Sequence, residues 1–292
     1  MKNKPVWIRT RYPYNNKNIK KVKKIIYKNN LNSVCESAFC PNIFECFSKK
    51  IVTFMILGNI CTRNCLFCKI KKGRTLAVDK KEPKNLANIV SKINLNHVVI
   101  TSVTRDDLKD GGSTQFSKCI KEIRKIKKKI IIEILVPDFR SKSKIAIPII
   151  EKSPPDIFAH NIETVPRLYS KIMPGSNYIR SLKLLKKFKI KNRKVFTKSS
   201  LILGLGETKD EIIEVMNDLK KSRVDILTLG QYLRPSKNQI EVDKYLSLED
   251  FKFFKEKAIK IGFKSVNSGP FVRSSYMSNI EYKKIIYKLY DK

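Results

Sequence analysis

Six of the seven cysteines of this 292-residue chain fall between positions 35 and 68, as Cys35-x4-Cys40-x5-Cys46 and then Cys61-x3-Cys65-x2-Cys68. Buried free cysteines scatter through a core and do not gather in this way. Thiolates at such spacing suit a soft metal centre. Triplets point to iron–sulfur clusters, because zinc normally takes four ligands in pairs; a structural zinc ribbon is the plainer alternative. A triplet leaves one iron of a four-iron cubane without a cysteine. An open iron at the second triplet could bind a substrate or cofactor, which would make that cluster the chemically active one.

A chain of this length can form one large domain that buries roughly three quarters of its unfolded surface, so disulfides are not needed for stability. Close-set cysteines without a secretory leader then indicate a reducing compartment and metal binding. Residues 1–30 carry Lys and Arg but no Asp or Glu, as a transit peptide would. They are poor in Ser, however, and run almost into Cys35, so they read as part of the fold. No apolar run approaches the roughly 20 residues needed to span a bilayer. The expectation is a soluble, cytoplasmic protein with no membrane contact.

The formal charge of +36 attracts acidic partners. Its lysines are spread along the whole chain among Asn and Ile, as a coding bias would produce, and this argues against nucleic acid as the partner. The densest stretch, Thr164 to Gly206, holds eleven Lys or Arg and no acidic residue. An acidic protein surface is the better complement.

Along the chain, Lys4–Arg9 holds the only tryptophan and reads as an extended arm. A basic helix is expected around Ile19–Tyr27, and the first triplet in a loop containing Pro41. Apolar strands are expected at 51–57, 97–100, 130–136, 156–159, 201–203 and 225–229. Helices lie between them. Thr208-Lys209-Asp210-Glu211 and Ser247-Leu248-Glu249-Asp250 have capping-box form before two of these helices. Alternating strands and helices imply parallel pairing with right-handed crossovers. The fold class is therefore α/β, a partial (β/α)6 TIM-type barrel over residues 51–265, with an N-terminal cluster-binding extension over 1–50 and a short C-terminal extension over 266–292. Cys61–Cys68, Thr101–Asp107, His160–Glu163 and Gly204–Glu207 all follow strands, and in parallel barrels that end carries the active site. His97 is given no role, His160 is a lone histidine at a strand end, which is more often structural than catalytic, and Cys119 reads as packing.

Cys61-x3-Cys65-x2-Cys68, with Phe67 before the last cysteine and a strand before the first, resembles the signature of the radical S-adenosylmethionine (SAM) superfamily. With Cys35-x4-Cys40-x5-Cys46 upstream, the chain resembles the lipoyl synthase family within it. Similar stretches include Val103–Gly112, Asn161–Gly175, Leu229–Pro235 and Ser268–Tyr276, with small departures at Thr104 and Ala159. The resemblance implies two [4Fe–4S] clusters: one held by Cys61, Cys65 and Cys68, whose open iron chelates SAM, and an auxiliary one held by Cys35, Cys40, Cys46 and the second serine of Arg273-Ser274-Ser275-Tyr276, Ser275. It also implies SAM contacts from Phe67, Thr101, Ser102, Asn161, Glu163, Gly204 and Gly206.

The implied reaction inserts two sulfur atoms, at C6 and C8, into an octanoyl chain on a carrier-protein lysine. It would use two SAM per product and consume the auxiliary cluster as sulfur source. No protein acid or base can open an unactivated C–H bond, which accounts for the lack of an acid–base dyad. Implied partners are octanoylated lipoyl carrier domains of a 2-oxoacid dehydrogenase E2 or glycine cleavage H protein, and an electron donor such as flavodoxin or ferredoxin. Two other readings are weighed. A radical SAM methylthiotransferase acting on tRNA also has two triplets, but it needs further domains on either side. A non-catalytic iron–sulfur electron carrier would need no polar strand-end loops.

Overall fold

The computed structural model describes residues 4–8 and 17–276. They form two compact units, one comprising residues 17–64 and 68–158, the other residues 4–8, 65–67 and 159–276.

In the first unit, α1 (Lys17–Lys28) buries Ile19, Val22 and Ile26 along one stripe and leaves its lysines outward. The two-residue strand β1 (Asn32–Ser33) leads into α2 (Val34–Ser37), whose N-cap Ser33 accepts the Glu36 N–H at 3.3 Å. After a turn comes α3 (Ile43–Ser48). The first triplet therefore does not sit in a loop: Cys35 lies on α2, Cys46 on α3 and Cys40 in the turn between them. Helices this short carry too little periodicity to be read in advance.

β2 (Thr53–Ile56) is buried on both faces, as expected of a parallel strand covered on each side. The short β3 (Ile60–Cys61) and β4 (Lys71–Lys72) pair in parallel and close the loop bearing the second triplet. Then follow α4 (Glu82–Ile93), β5 (His97–Ser102), α5 (Ser113–Ile126), β6 (Ile131–Leu135) and α6 (Ser143–Glu151). The strand order is β1-β2-β5-β6, antiparallel only at β1–β2, with Thr53 opposite Val99 and His97 opposite Ile131. The chain passes to the second unit within β7 (Ile157–Ala159).

The second unit alternates α7 (Pro166–Ile172), α8 (Tyr178–Lys191), β8 (Phe196–Leu203), α9 (Lys209–Lys221), β9 (Ile226–Gln231), α10 (Leu248–Ile261) and β10 (Ser265–Gly269). Both capping boxes form, Thr208 with Glu211 and Ser247 with Asp250. β8, β9 and β10 are parallel, with Lys198 and Ser265 both opposite Ile226. All six expected strands are present and the α/β class holds. β10 was missed because Ser-Val-Asn-Ser-Gly lacks an apolar run; it is seated instead by close backbone approach. A Cβ on Gly230 would lie 2.0 Å from the carbonyl oxygen of Val272, so only glycine lets residues 270–276 lie there.

The N-terminal arm also differs from expectation. Val6 and Trp7 form a turn closed by Ile8 N–H to Pro5 O at 3.0 Å, and Ile8 is the buried residue while Trp7 is exposed. Arg9 lies outside the described residues. Among the described residues no helix is long and apolar enough to cross a membrane.

Candidate functional site

None of the seven cysteines is in a disulfide. In the first triplet, burial pushes the Cys35 and Cys46 thiols up to about 12, and the charge of Cys40 adds to the rise at each. The three sulfurs therefore lie within electrostatic reach of one another, on the short helices α2 and α3. Among the described residues no three His, Cys, Asp or Glu side chains are already drawn together around a metal-sized point. The donor chemistry of the thiols is what fits a cluster.

The second triplet begins where the buried β2 ends in a left-handed elbow, Leu57 at φ 68° and Gly58 at φ 91°. Glu82 holds this elbow. Its carboxylate oxygens both accept the Leu57 N–H, at 3.1 Å each, and Gln115 donates to it at 2.8 Å. Burial raises the Glu82 carboxyl above the usual range. Glu82 was not singled out from sequence, because a Glu before a Pro at a helix start looks like ordinary end-of-helix chemistry.

Beyond the elbow, the cysteine loop is zipped to the loop after β5. Thr62 N–H and Oγ1 both donate to Thr104 O, at 3.1 and 3.0 Å, and Asp106 N–H donates to Thr62 Oγ1 at 3.1 Å. Two of the expected strand-end groups thus meet in the first unit. Arg105 turns onto Asp107, with Nη2 at 2.7 Å, and that ion pair holds the Asp107 carboxyl below its usual range. The intervening segment Cys65–Phe67 belongs to the second unit, where Leu66 donates to Ile172 O at 2.9 Å and accepts from Ile240 N–H at 3.1 Å.

The other two strand-end groups meet in the second unit. Glu163, left-handed at φ 67°, bridges to β8 through its N–H to Ser200 O and its carbonyl from Ile202 N–H, each at 2.9 Å. Asn161 Nδ2 donates to Glu163 Oε1 at 2.9 Å. Gly204 and Gly206 take φ of 99° and 108°. Glu207 accepts N–H groups from Gly204 and Leu205 within the same turn, and Arg167 spans Gly206 O at 2.8 Å and Glu211. A Cβ at Gly204 would meet Lys244 O at 2.2 Å, so this turn admits only glycine.

Each unit, taken by itself, has a polar strand end whose chemistry fits a polar ligand. Thr101 Oγ1 is used, donating to Leu135 O at 3.0 Å. Ser102 Oγ and Asn161 Oδ1 are buried without a hydrogen-bond partner. Such atoms are rare in a finished interior and are explained where a ligand supplies the missing partner. Phe67 is half-buried in its segment. His160 instead bonds Ser181 Oγ at 2.8 Å in the core, His97 lies 3.6 Å from Glu133 at the start of β5, and Cys119 is fully buried in α5. All three keep to the readings made from sequence.

The RSSY stretch is a turn after β10, with Tyr276 N–H to Arg273 O at 3.0 Å. Arg273 Nη1 reaches Val272 O at 2.6 Å, and its charge acts on Glu163. Ser275 is half-buried, and Ser274 Oγ is buried without a hydrogen-bond partner.

Burial lifts the Glu163 carboxyl to about 7, against the pull of Asn161 and Arg273. The folded value lies above the ordinary 4.5, so a protonated Glu163 favours the folded state below about pH 4.5, and that contribution is lost as pH rises through about 7. Glu163→Gln should stabilise the ligand-free protein at pH 8 by on the order of 2 kcal/mol, partial exposure of the residue keeping the effect small. The gain should shrink at pH 5.5. Denaturant melts at the two values check this, and equal differences at both would refute it.

A family model described as the radical SAM superfamily matches residues 55–219. The chain is 56% identical over 273 residues to the lipoyl synthase of Wigglesworthia glossinidia brevipalpis, covering 94% of this chain and 86% of that one. It is 58% identical over 279 residues to the lipoyl synthase of Buchnera aphidicola subsp. Cinara cedri, covering 96% and 90%.

The chain belongs to the lipoyl synthase family.

A third lipoyl synthase, from Vibrio campbellii, is 50% identical over 278 residues, covering 95% of this chain and 87% of that one. Among solved structures, Streptococcus suis SuiB matches with TM-score 0.57 at 14% identity, covering 77% of this chain and 51% of SuiB. Methylornithine synthase matches with TM-score 0.54 at 12% identity, covering 81% and 80%. At such identities the likeness is one of fold alone. Lipoyl synthases are radical SAM enzymes that insert sulfur, and membership implies SAM and a [4Fe–4S] cluster, with the family name implying a second cluster.

Proposed function

We propose that this chain inserts sulfur at C6 and C8 of an octanoyl group carried on a protein lysine. Cys61, Cys65 and Cys68 would hold the cluster that binds SAM; Cys35, Cys40, Cys46 and Ser275 would hold the cluster that is consumed as sulfur donor. The observation that carries this reading is that the six clustered cysteines, none of them in a disulfide, fall at two seats, one on α2–α3 and one beginning after the β2 elbow. Bound at the open iron, SAM supplies a 5′-deoxyadenosyl radical able to break an unactivated C–H bond. The chain's own residues would bind and orient it: in the first unit Ser102 offers an unsatisfied buried polar atom beside Thr101, and in the second Asn161 does the same beside Glu163, with Phe67 and the Gly204–Gly206 turn as further contacts. The domain division that goes with this reading is a cluster-binding stretch over 1–50, the radical SAM fold over 51–265 and a C-terminal stretch over 266–292. Cysteines outside any disulfide fit a cytoplasmic setting.

The test is anaerobic reconstitution with iron and sulfide, then incubation with SAM, reductant and an octanoyl-lysine peptide. About eight irons per chain, as two cubanes require, and a mass gain of two sulfurs per peptide are expected. Loaded clusters with SAM cleavage but no sulfur in the peptide would overturn the assignment.

For the carrier we propose an acidic lipoyl domain of a 2-oxoacid dehydrogenase or glycine cleavage H protein, and for the reductant a flavodoxin or ferredoxin. α8 turns Lys183, Lys186, Lys187 and Lys191 outward, in a stretch without acidic residues. Carrier affinity should fall as salt rises, because exposed charges are screened within roughly 8 Å at physiological ionic strength. Titration across salt concentrations measures it, and a flat profile would remove electrostatic recognition.

A further inference from the structure

Arg63 lies between Cys61 and Cys65, where a loop arginine would ordinarily extend into water. Here its side chain is 5% exposed and makes two ion pairs. Nε and Nη2 grip Asp106 side-on at 2.9 Å each, and Nη2 also reaches Asp138 Oδ1 at 2.5 Å. Arg140 Nε adds a second cation 3.1 Å from Asp106. Lys142 Nζ lies 2.5 Å from Asp106 O as a third cation, and pairing of the two carboxylates with these cations is what permits their burial. Asp106 and Thr104 belong to one loop, so the grip on Asp106, together with the Thr62 bonds, fixes Thr104 against the start of the cysteine loop. The outcome is seen at sulfur: Cys61 Sγ accepts Thr104 N–H at 3.4 Å and Arg63 N–H at 3.5 Å.

We propose that the buried Arg63–Asp106–Asp138 cluster is a positioning device that aims two backbone N–H groups at Cys61 Sγ and thereby raises the reduction potential of the cluster held by the second triplet. The inference rests on Cys61 being an iron ligand. Hydrogen bonds to cluster sulfurs stabilise the more negative, reduced state and are one of the protein's main controls over potential. Arg63 and Asp138 act through the loop, and their own charges balance. Arginine is required because only a planar guanidinium spans two carboxylates at once; lysine keeps the charge but not the fork.

The test is an EPR-monitored potentiometric titration of the fully reconstituted chain, following the signal that SAM perturbs. Arg63→Lys and Asp138→Asn should each make reduction at least tenfold less favourable, a downward shift of about 59 mV for one electron, with iron content retained. Thr62→Val leaves the buried charges and the Thr62 N–H to Thr104 O bond in place and removes the two side-chain bonds of the zipper; it should lower the potential in the same direction, and it decides the matter if either charge variant fails to load iron. Unchanged potentials in the variants that load would overturn the proposal. Persistence of the SAM-perturbed signal in Cys61→Ala would instead overturn the ligand assignment beneath it.

Discussion

Alanine at Cys35, Cys40 and Cys46 together is expected to give a chain that still forms 5′-deoxyadenosine from SAM and inserts no sulfur at all. Iron content should fall from roughly eight to roughly four per chain, as loss of one cubane requires. The expectation follows from the separation of the two seats. The first triplet sits on α2 and α3, while the loop of the second hangs from the β2 elbow, which Glu82 holds through Leu57. Removing the first three thiols leaves that elbow and the Thr62–Thr104 zipper untouched. Cys61→Ala is the converse case and should abolish both products. Mass spectrometry of the peptide and chromatography of the nucleoside read the two activities side by side. Sulfur insertion surviving in the triple variant would end the donor assignment.

The second large effect is expected at Ser275. A serine oxygen is a harder donor than thiolate and a poorer match for iron in a sulfide cluster. With Ser275 as fourth ligand, one iron would be held less firmly than three bound by cysteine, which would suit a cluster that must be taken apart. Ser275→Cys should give an auxiliary cluster that loads normally and survives turnover, with product falling to a small fraction of one per chain. Mössbauer spectra before and after turnover, with product quantified on the same sample, test this. Normal product from the variant would remove the lability argument.

Much of this was legible in the chain because the signals are local and strong. The six apolar runs read as strands because parallel strands buried on both faces are near-continuously apolar, as Phe54–Ile56 is. The two capping boxes announced themselves through side chains three residues apart. What could not be read depends on contacts distant in sequence. Arg63 meets Asp138 across 75 positions, and Gln115 meets Glu82 across 33; no periodicity encodes such pairs. β10 hides because Ser265–Gly269 is polar and gains its place by backbone approach at Gly230. The cysteines were visible from spacing alone, whereas the seat of the first triplet was not: Ser33 caps a helix of only four residues. At the N-terminal arm the tryptophan drew attention, but Ile8 is the residue that packs.

The division of the chain into units also has a bearing on the order of events during synthesis. Every thiol of the first triplet lies within the unit that ends at Phe158, whereas Ser275 belongs to the other unit, 117 positions (275 minus 158) further on. At about 5–20 residues per second the ribosome needs roughly 6–23 s to reach it. The three cysteines are thus synthesised well before the serine proposed as fourth ligand. A cubane delivered in that interval would be held by thiolates alone, and emergence of the serine would complete a site already filled, making the tail of the protein the last part of its sulfur store to be put in place.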